Sequence, residues 1–299
     1  MKPSEIFADE PGRGWVPWAL VVPVLGLAFV VGPSLAASLP LVEWGLLDAR
    51  EEPVGRLGLI ALLLVPFGAM GLFVVGWAYL IERRLLASIG LVDAGAGATF
   101  ASGLLIGVLT SGGVVAAIWA SGGLEASTVA PALASPDALL YIAVLLACFV
   151  VQSGAEEIVF RGWMLSALAR RINLVGAIVI VSAVFALLHF GRDTTLLMLC
   201  NVILFSVFAC CWALKARNIW GVMGWHAAWN WSLGTGFELP VTGLDLQVPA
   251  LIVRLTPLGP THLTGGTEGP EGSVFCGLFF AGAIALLVAR GALSKRDVL

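Results

Sequence analysis

Few side chains in this chain can do chemistry in an apolar setting. The first are Glu156, Glu157 and Arg161, which follow the apolar run Ala138 to Val151. Charges cost free energy in hydrocarbon, so ionisable residues within membrane segments usually have a role. Residues four apart share a helix face, so Glu157 and Arg161 are expected to pair, in the favourable Glu-before-Arg order. Such a pair offsets part of the cost of burying both charges and is a structural role. Glu156 points about 100° away along the same helix and has no partner at that spacing. An unpaired carboxylate in an apolar site suits general acid–base work. We therefore expect the base at Glu156 and support from Glu157. The plainer alternative is that both glutamates bond other helices or reach out to water.

The remaining candidates are His189, His226 and Asn230. His189 closes Phe185-Ala186-Leu187-Leu188-His189, and its plain alternative is a packed or interfacial residue. The chain turns near Arg170-Arg171-Ile172-Asn173, and Glu156 and His189 lie at equal chain distance on either side of it. If both arms are helical, the two sit at similar depth on neighbouring helices, up to roughly 25 Å from the turn. That is deep for a core of ~30 Å. Either part of 162–172 projects into the cytoplasm or the helix bends at Gly162. His226 and Asn230 are spaced i, i+4 and share a face. Both can donate hydrogen bonds, as a developing oxyanion requires. An interhelical polar clasp is the structural alternative. His262 lies in a long outer loop and is set aside.

One carboxylate, two histidines and one asparagine, supplied by three segments, make a base and an oxyanion hole. That is sufficient for hydrolysis by an activated water, without a nucleophilic side chain. Ser153 and Ser182 lack a nucleophile-elbow context. Glu156, His189 and His226 are also the types that hold zinc, although the usual His-Glu-x-x-His helix is absent. No cofactor is expected, and zinc is the alternative.

The elements that must position these residues follow from composition. The 299 residues are 59% hydrophobic and only 12% charged, with a mean hydropathy of +0.99. A soluble domain would carry roughly twice that charged fraction. The expectation is an all-α polytopic membrane protein with about eight transmembrane helices. They are read at about 18–41, 57–81, 99–120, from 138 through the acidic motif, 174–190, 194–214, 219–236 and 273–291. The first run is too long for a typical signal-peptide core and is kept as a span. The chain reads as one membrane-embedded domain, 1–299, with a motif-bearing core at about 138–236. The stretch 237–272, with five prolines, reads as a cap or a simple loop. The 36 glycines fit close helix packing in lipid. Cys148, Cys200, Cys210, Cys211 and Cys276 read as small core hydrophobes. No basic patch suits nucleic acid.

The cations set orientation. Of the 16 lysines and arginines, four (Arg50, Arg56, Arg192 and Arg254) fall on one side of an eight-span chain. The other twelve fall with the termini and include Lys2, Arg83, Arg84, Arg170, Arg171, Lys215, Arg290 and Lys295. The positive-inside rule then puts both termini in the cytoplasm, as expected for the plasma membrane of a prokaryote.

Glu156-Glu157-x-x-x-Arg161, Phe185-x-x-x-His189 and His226-x-x-x-Asn230 resemble the three motifs of the CPBP family. This is the CAAX protease and bacteriocin-processing (Abi) group of intramembrane proteases. The motif region covers about 150–235, and Leu86 to Gly107, with Ile89-Gly90-Leu91, is also similar. The resemblance implies an eight-helix membrane fold and endoproteolysis. In eukaryotic members a prenylated carboxyl-terminal tail loses its last three residues. By position, the resemblance gives Glu156 and His189 the activation of water and His226 and Asn230 the oxyanion. Glu157, Arg161 and Phe185 support them. The family has been called metalloprotease, but its motif residues fit a glutamate-dependent site without metal. The expected partners are membrane lipid and a peptide or protein substrate, lipidated or not. Two other classes stay open: a non-catalytic bacteriocin-immunity or scaffold protein, and a proton-coupled transporter. No internal repeat supports the transporter.

Overall fold

The computed structural model describes residues 6–8, 13–15, 17–191 and 194–289. Among them are eight helices of 15 residues or more. They are α1 Val21–Glu43, α2 Gly55–Leu80, α3 Ala96–Ala120, α4 Pro136–Ala169, α5 Leu174–Leu188, α6 Leu196–Ala216, α7 Trp220–Phe237 and α8 Val274–Ala289. Each coincides with one of the apolar segments read from the sequence. Five of them, α1, α2, α3, α4 and α6, are long and apolar enough to cross a membrane. The apolar helices α5 and α8 are shorter, and α7 carries the polar residues of the third motif. Lys2, Arg192, Arg290, Lys295 and Arg296 lie outside the described residues.

Helix starts follow local chemistry. Ser135 accepts a hydrogen bond from the Ala138 amide at the head of α4, with Pro136 in the first turn. Asn173 caps α5 through the Gly176 amide. Thr195 caps α6 through the Met198 amide. Such side-chain oxygens satisfy amides left open at a helix start and contribute about 1 kcal/mol each.

Directly after the paired glutamates, α4 changes character. Ile158–Met164 is π-helical, and α-helix resumes to Ala169. A π-bulge inserts one extra residue per turn and is common beside functional sites. Gly162, one of the two places where the sequence allowed the chain to depart from a straight helix, lies within this wider turn. A buried polar clasp supports it. The Trp163 and Trp77 indoles both donate to Glu82 Oε1, at 2.7 and 3.0 Å. Arg84 pairs with Glu82 at 3.1 Å and also donates to Ser88 and Ser166. Burial lowers the Arg84 pKa to about 10, opposed by Glu82, so the guanidinium stays charged at neutral pH. The helix α1 packs against the same region, with the Phe29 ring 4.8 Å from Trp163.

Glycines on α3 and α7 let these two helices touch. A Cβ on Gly103 would lie 2.1 Å from the Gly221 carbonyl oxygen, and one on Gly224 2.2 Å from the Phe100 oxygen. This close approach fixes α7, which carries His226 and Asn230. Cys148, Cys210, Cys211 and Cys276 are buried as expected, whereas Cys200 is exposed on α6.

The stretch 237–272 is a packed cap. Strand β2, Val253–Pro257, pairs antiparallel with β1, Leu124–Val129. The Leu251 and Ile252 amides donate to the carbonyls of Thr235 and Gly236 at the end of α7. Val241, Leu246, Val248 and Ala250 are buried under it.

The packing predicts a sharp contrast. Gly224→Val is expected to lower the melting temperature in detergent by several degrees, because overpacking costs about 1–3 kcal/mol or more. Gly113→Val, which meets nothing within 4 Å, is expected to leave it unchanged. Differential scanning fluorimetry of the two variants checks this.

Candidate active site

The paired carboxylates part company at the end of the regular turns of α4. Glu157 is fully buried, and its Oε1 accepts from Arg161 Nη1 at 2.9 Å. The same oxygen accepts from His226 Nδ1, also at 2.9 Å. A carboxylate paired with an arginine is an acceptor only, so the hydrogen on this bond belongs to His226. The second ring nitrogen, Nε2, then faces Glu156 Oε2 at 3.8 Å. That is too long for a direct hydrogen bond and suits a shared water or a reacting group.

Arg161 is itself fully buried. Its guanidinium lies 4.6 Å from the Phe185 ring centre and 5.2 Å from that of Phe205. Its Nε and Nη2 make no hydrogen bond among the described residues, and the two aromatic faces take that side of the cation. Phe185 thus supports Arg161, and it also stacks tilted on His189 at 4.4 Å. His189 stands at the C-cap of α5, and its Nδ1 bonds the Phe185 carbonyl at 2.8 Å. With that nitrogen donating, Nε2 is the acceptor left to the imidazole.

Asn230, one turn beyond His226, donates from Nδ2 to Gln152 Oε1 at 3.2 Å and reaches Ser153 Oγ at 3.5 Å. Glu156, His189, His226 and Asn230 all line one cavity of about 290 Å³. Its walls are apolar: Leu62, Leu63 and Phe67 from α2, Phe149 from α4, and Met198 and Phe280 opposite. The cap closes it with Val241, Thr242, Leu244 and Glu271. Glu271 is held by the Trp229 indole at 3.1 Å and by Thr242. Glu268 accepts from the amide and hydroxyl of Thr195, at 2.8 and 2.7 Å.

The structure therefore gathers all the residues singled out from spacing. It differs over Glu156, whose nearest charged neighbour is His226 rather than His189. Among the described residues, no three His, Cys, Asp or Glu side chains form a metal-ligating group. In the set considered for zinc, His226 Nδ1 is turned to Glu157 and His189 Nδ1 to a carbonyl, which leaves Nε2 of each ring free. Trp225 and Trp229 are buried and do not line the cavity. His262 is exposed on a short helix, Thr261–Thr264. Gln152, Glu271 and Phe205 escaped the sequence reading. Gln152 sits four residues before Glu156, so the spacing that paired Glu157 with Arg161 would have found it. Nothing in the sequence places Glu271 at the site.

Comparison with known families agrees with this arrangement. Residues 138–232 match the family model described as Type II CAAX prenyl endopeptidase Rce1-like. This segment of the chain is similar to the Rce1-like family of CAAX proteases. The match runs from the head of α4 into α7 and spans Glu156, His189, His226 and Asn230. With this match and its apolar helices, the chain is an integral membrane protein. No curated protein and no solved structure matches it.

Glu157→Gln and Arg161→Met each leave a buried charge without its partner. Each is expected to destabilise the fold by about 3–5 kcal/mol, more than the double variant. Thermal unfolding in detergent tests this, and additive losses in the double variant would contradict it.

Proposed function

We propose that the chain is an intramembrane endopeptidase that hydrolyses a peptide bond with a water activated by Glu156. The observation that carries this is the convergence of Glu156, His189, His226 and Asn230 on one apolar cavity, within the segment that matches the Rce1-like family. Glu156, aided by the His189 imidazole, takes a proton from water. The water oxygen attacks the carbonyl carbon. The C–O bond forms, and the carbonyl pair moves onto oxygen. Asn230 donates to that oxyanion, and so does His226 as the imidazolium, with its Nδ1–H on Glu157 and its Nε2–H toward the cavity. Collapse breaks the C–N bond, and Glu156 returns its proton to the leaving amine. Glu157 is a positioning residue in this scheme. It fixes the His226 ring with Nε2 toward the cavity, and Arg161 pairs with Glu157 at 2.9 Å.

The substrate in this reading is a peptide or protein tail held at the membrane. The apolar walls on α2 and α6 suit an apolar side chain or a lipid beside the scissile bond. The eight helices are read as spans with both termini cytoplasmic, in the plasma membrane of a prokaryote. The whole chain acts as one membrane-embedded domain. In this reading no step passes through a metal.

Glu156→Gln is expected to lower kcat on an internally quenched apolar peptide by at least ~10²-fold, with melting temperature preserved. Full activity in that variant would contradict the reading. Activity is expected to persist after exhaustive chelation, with no stoichiometric zinc by elemental analysis. Loss on chelation with recovery on adding zinc would overturn the metal-free scheme.

A further inference from the structure

We propose that Gln152 is a further catalytic residue, donating from its Nε2 to the carbonyl oxygen of the scissile bond. The proposal rests on the hydrolytic reading above. The helices α4 and α7 face each other in antiparallel register. Glu156 stands opposite His226, and one turn away Gln152 stands opposite Asn230. The two rungs are separated by about one helical turn, ~5.4 Å. A carbonyl whose carbon is attacked from the Glu156 rung points its oxygen toward donors on the next rung.

Asn230 alone does not meet that need. One of its two Nδ2 hydrogens is already committed to Gln152 Oε1 at 3.2 Å. The Ser153 hydroxyl donates to the same oxygen at 2.9 Å. Two donors on Oε1 fix which end of the Gln152 amide is which, since only the oxygen can accept them. The NH2 end is left over. Among the described residues no acceptor engages it. Gln152 is nevertheless buried, only 7% exposed, and lines the cavity. The free NH2 end is therefore a donor open to a cavity with largely apolar walls, where a substrate carbonyl can take it. An oxyanion satisfies it, and the bond strengthens as charge develops on oxygen. The Gln152 and Asn230 amides then act as a linked pair. Asn230 and Ser153 orient Gln152, and Gln152 presents its two N–H groups to the substrate.

A double-mutant cycle on the full-length protein tests this, with Gln152→Met, Asn230→Ala and both together. The readouts are kcat, KM and melting temperature, with the internally quenched apolar peptide as substrate. Gln152→Met is expected to lower kcat by about 10²-fold, with KM within about twofold and the fold retained. Gln152→Asn, with a shorter amide, is expected to recover part of that loss. If Gln152 itself donates, the double variant is slower than Asn230→Ala alone. A double variant no slower than Asn230→Ala would reduce Gln152 to orienting Asn230 and overturn the proposal. Wild-type kcat in Gln152→Met would overturn it outright, as would a loss explained by the unfolded fraction. Failure of the underlying reading looks different: Glu156→Gln would then match wild type, and the donor role would fall with it.

Discussion

The site depends on one buried charge chain, from Arg161 through Glu157 to His226. A lone cation or carboxylate here would carry a desolvation penalty of several kcal/mol. The chain removes it by giving each charge a partner at 2.9 Å and by facing the guanidinium with Phe185 and Phe205. Three helices are joined in the process, since Glu157 and Arg161 come from α4, Phe185 from α5 and His226 from α7. The interaction that keeps a charge tolerable in an apolar interior also sets the direction of an imidazole. Glu156 is left outside the chain, at the cavity.

Several features serve that arrangement from a distance. The π-helical stretch Ile158–Met164 lets α4 pass from the paired glutamates to the Glu82–Arg84 clasp without a break. The glycine contacts between α3 and α7 bring the His226 face close enough to meet α4. The cap closes the other end, with Glu268 on the head of α6 and Glu271 on α7. Each is a buried or partly buried polar contact with its partners supplied, as the low-dielectric setting requires.

Much of this was legible in the sequence, because the signals were local. The i, i+4 rule paired Glu157 with Arg161 and placed His226 and Asn230 on one face. Apolar run length located eight helices. Counting from the turn at Ile172 and Asn173 put His189 level with Glu156, and both line the same cavity. What was not legible depends on how helices meet. Glu157 bonds His226 across 69 positions of chain, and no spacing rule reaches that far. The π-turn leaves no composition signal, and chain length alone offered either a projection of 162–172 or a bend at Gly162. The cap is rich in proline and glycine and reads as a loop, yet its buried Val241, Leu246 and Val248 tie it down. Gln152 is a different kind of miss: its spacing was readable, but an uncharged amide drew less notice than the carboxylates.

The central claim is that Glu156 activates water rather than attacking the peptide itself. Single turnover in water enriched in oxygen-18, followed by mass spectrometry of both products and of the recovered protein, tests it most directly. The account predicts one heavy oxygen in the new carboxyl terminus of the peptide and none in the protein. Label appearing first in the Glu156 carboxylate, with an unlabelled peptide product, would mean that a covalent acyl intermediate forms there and would contradict the account.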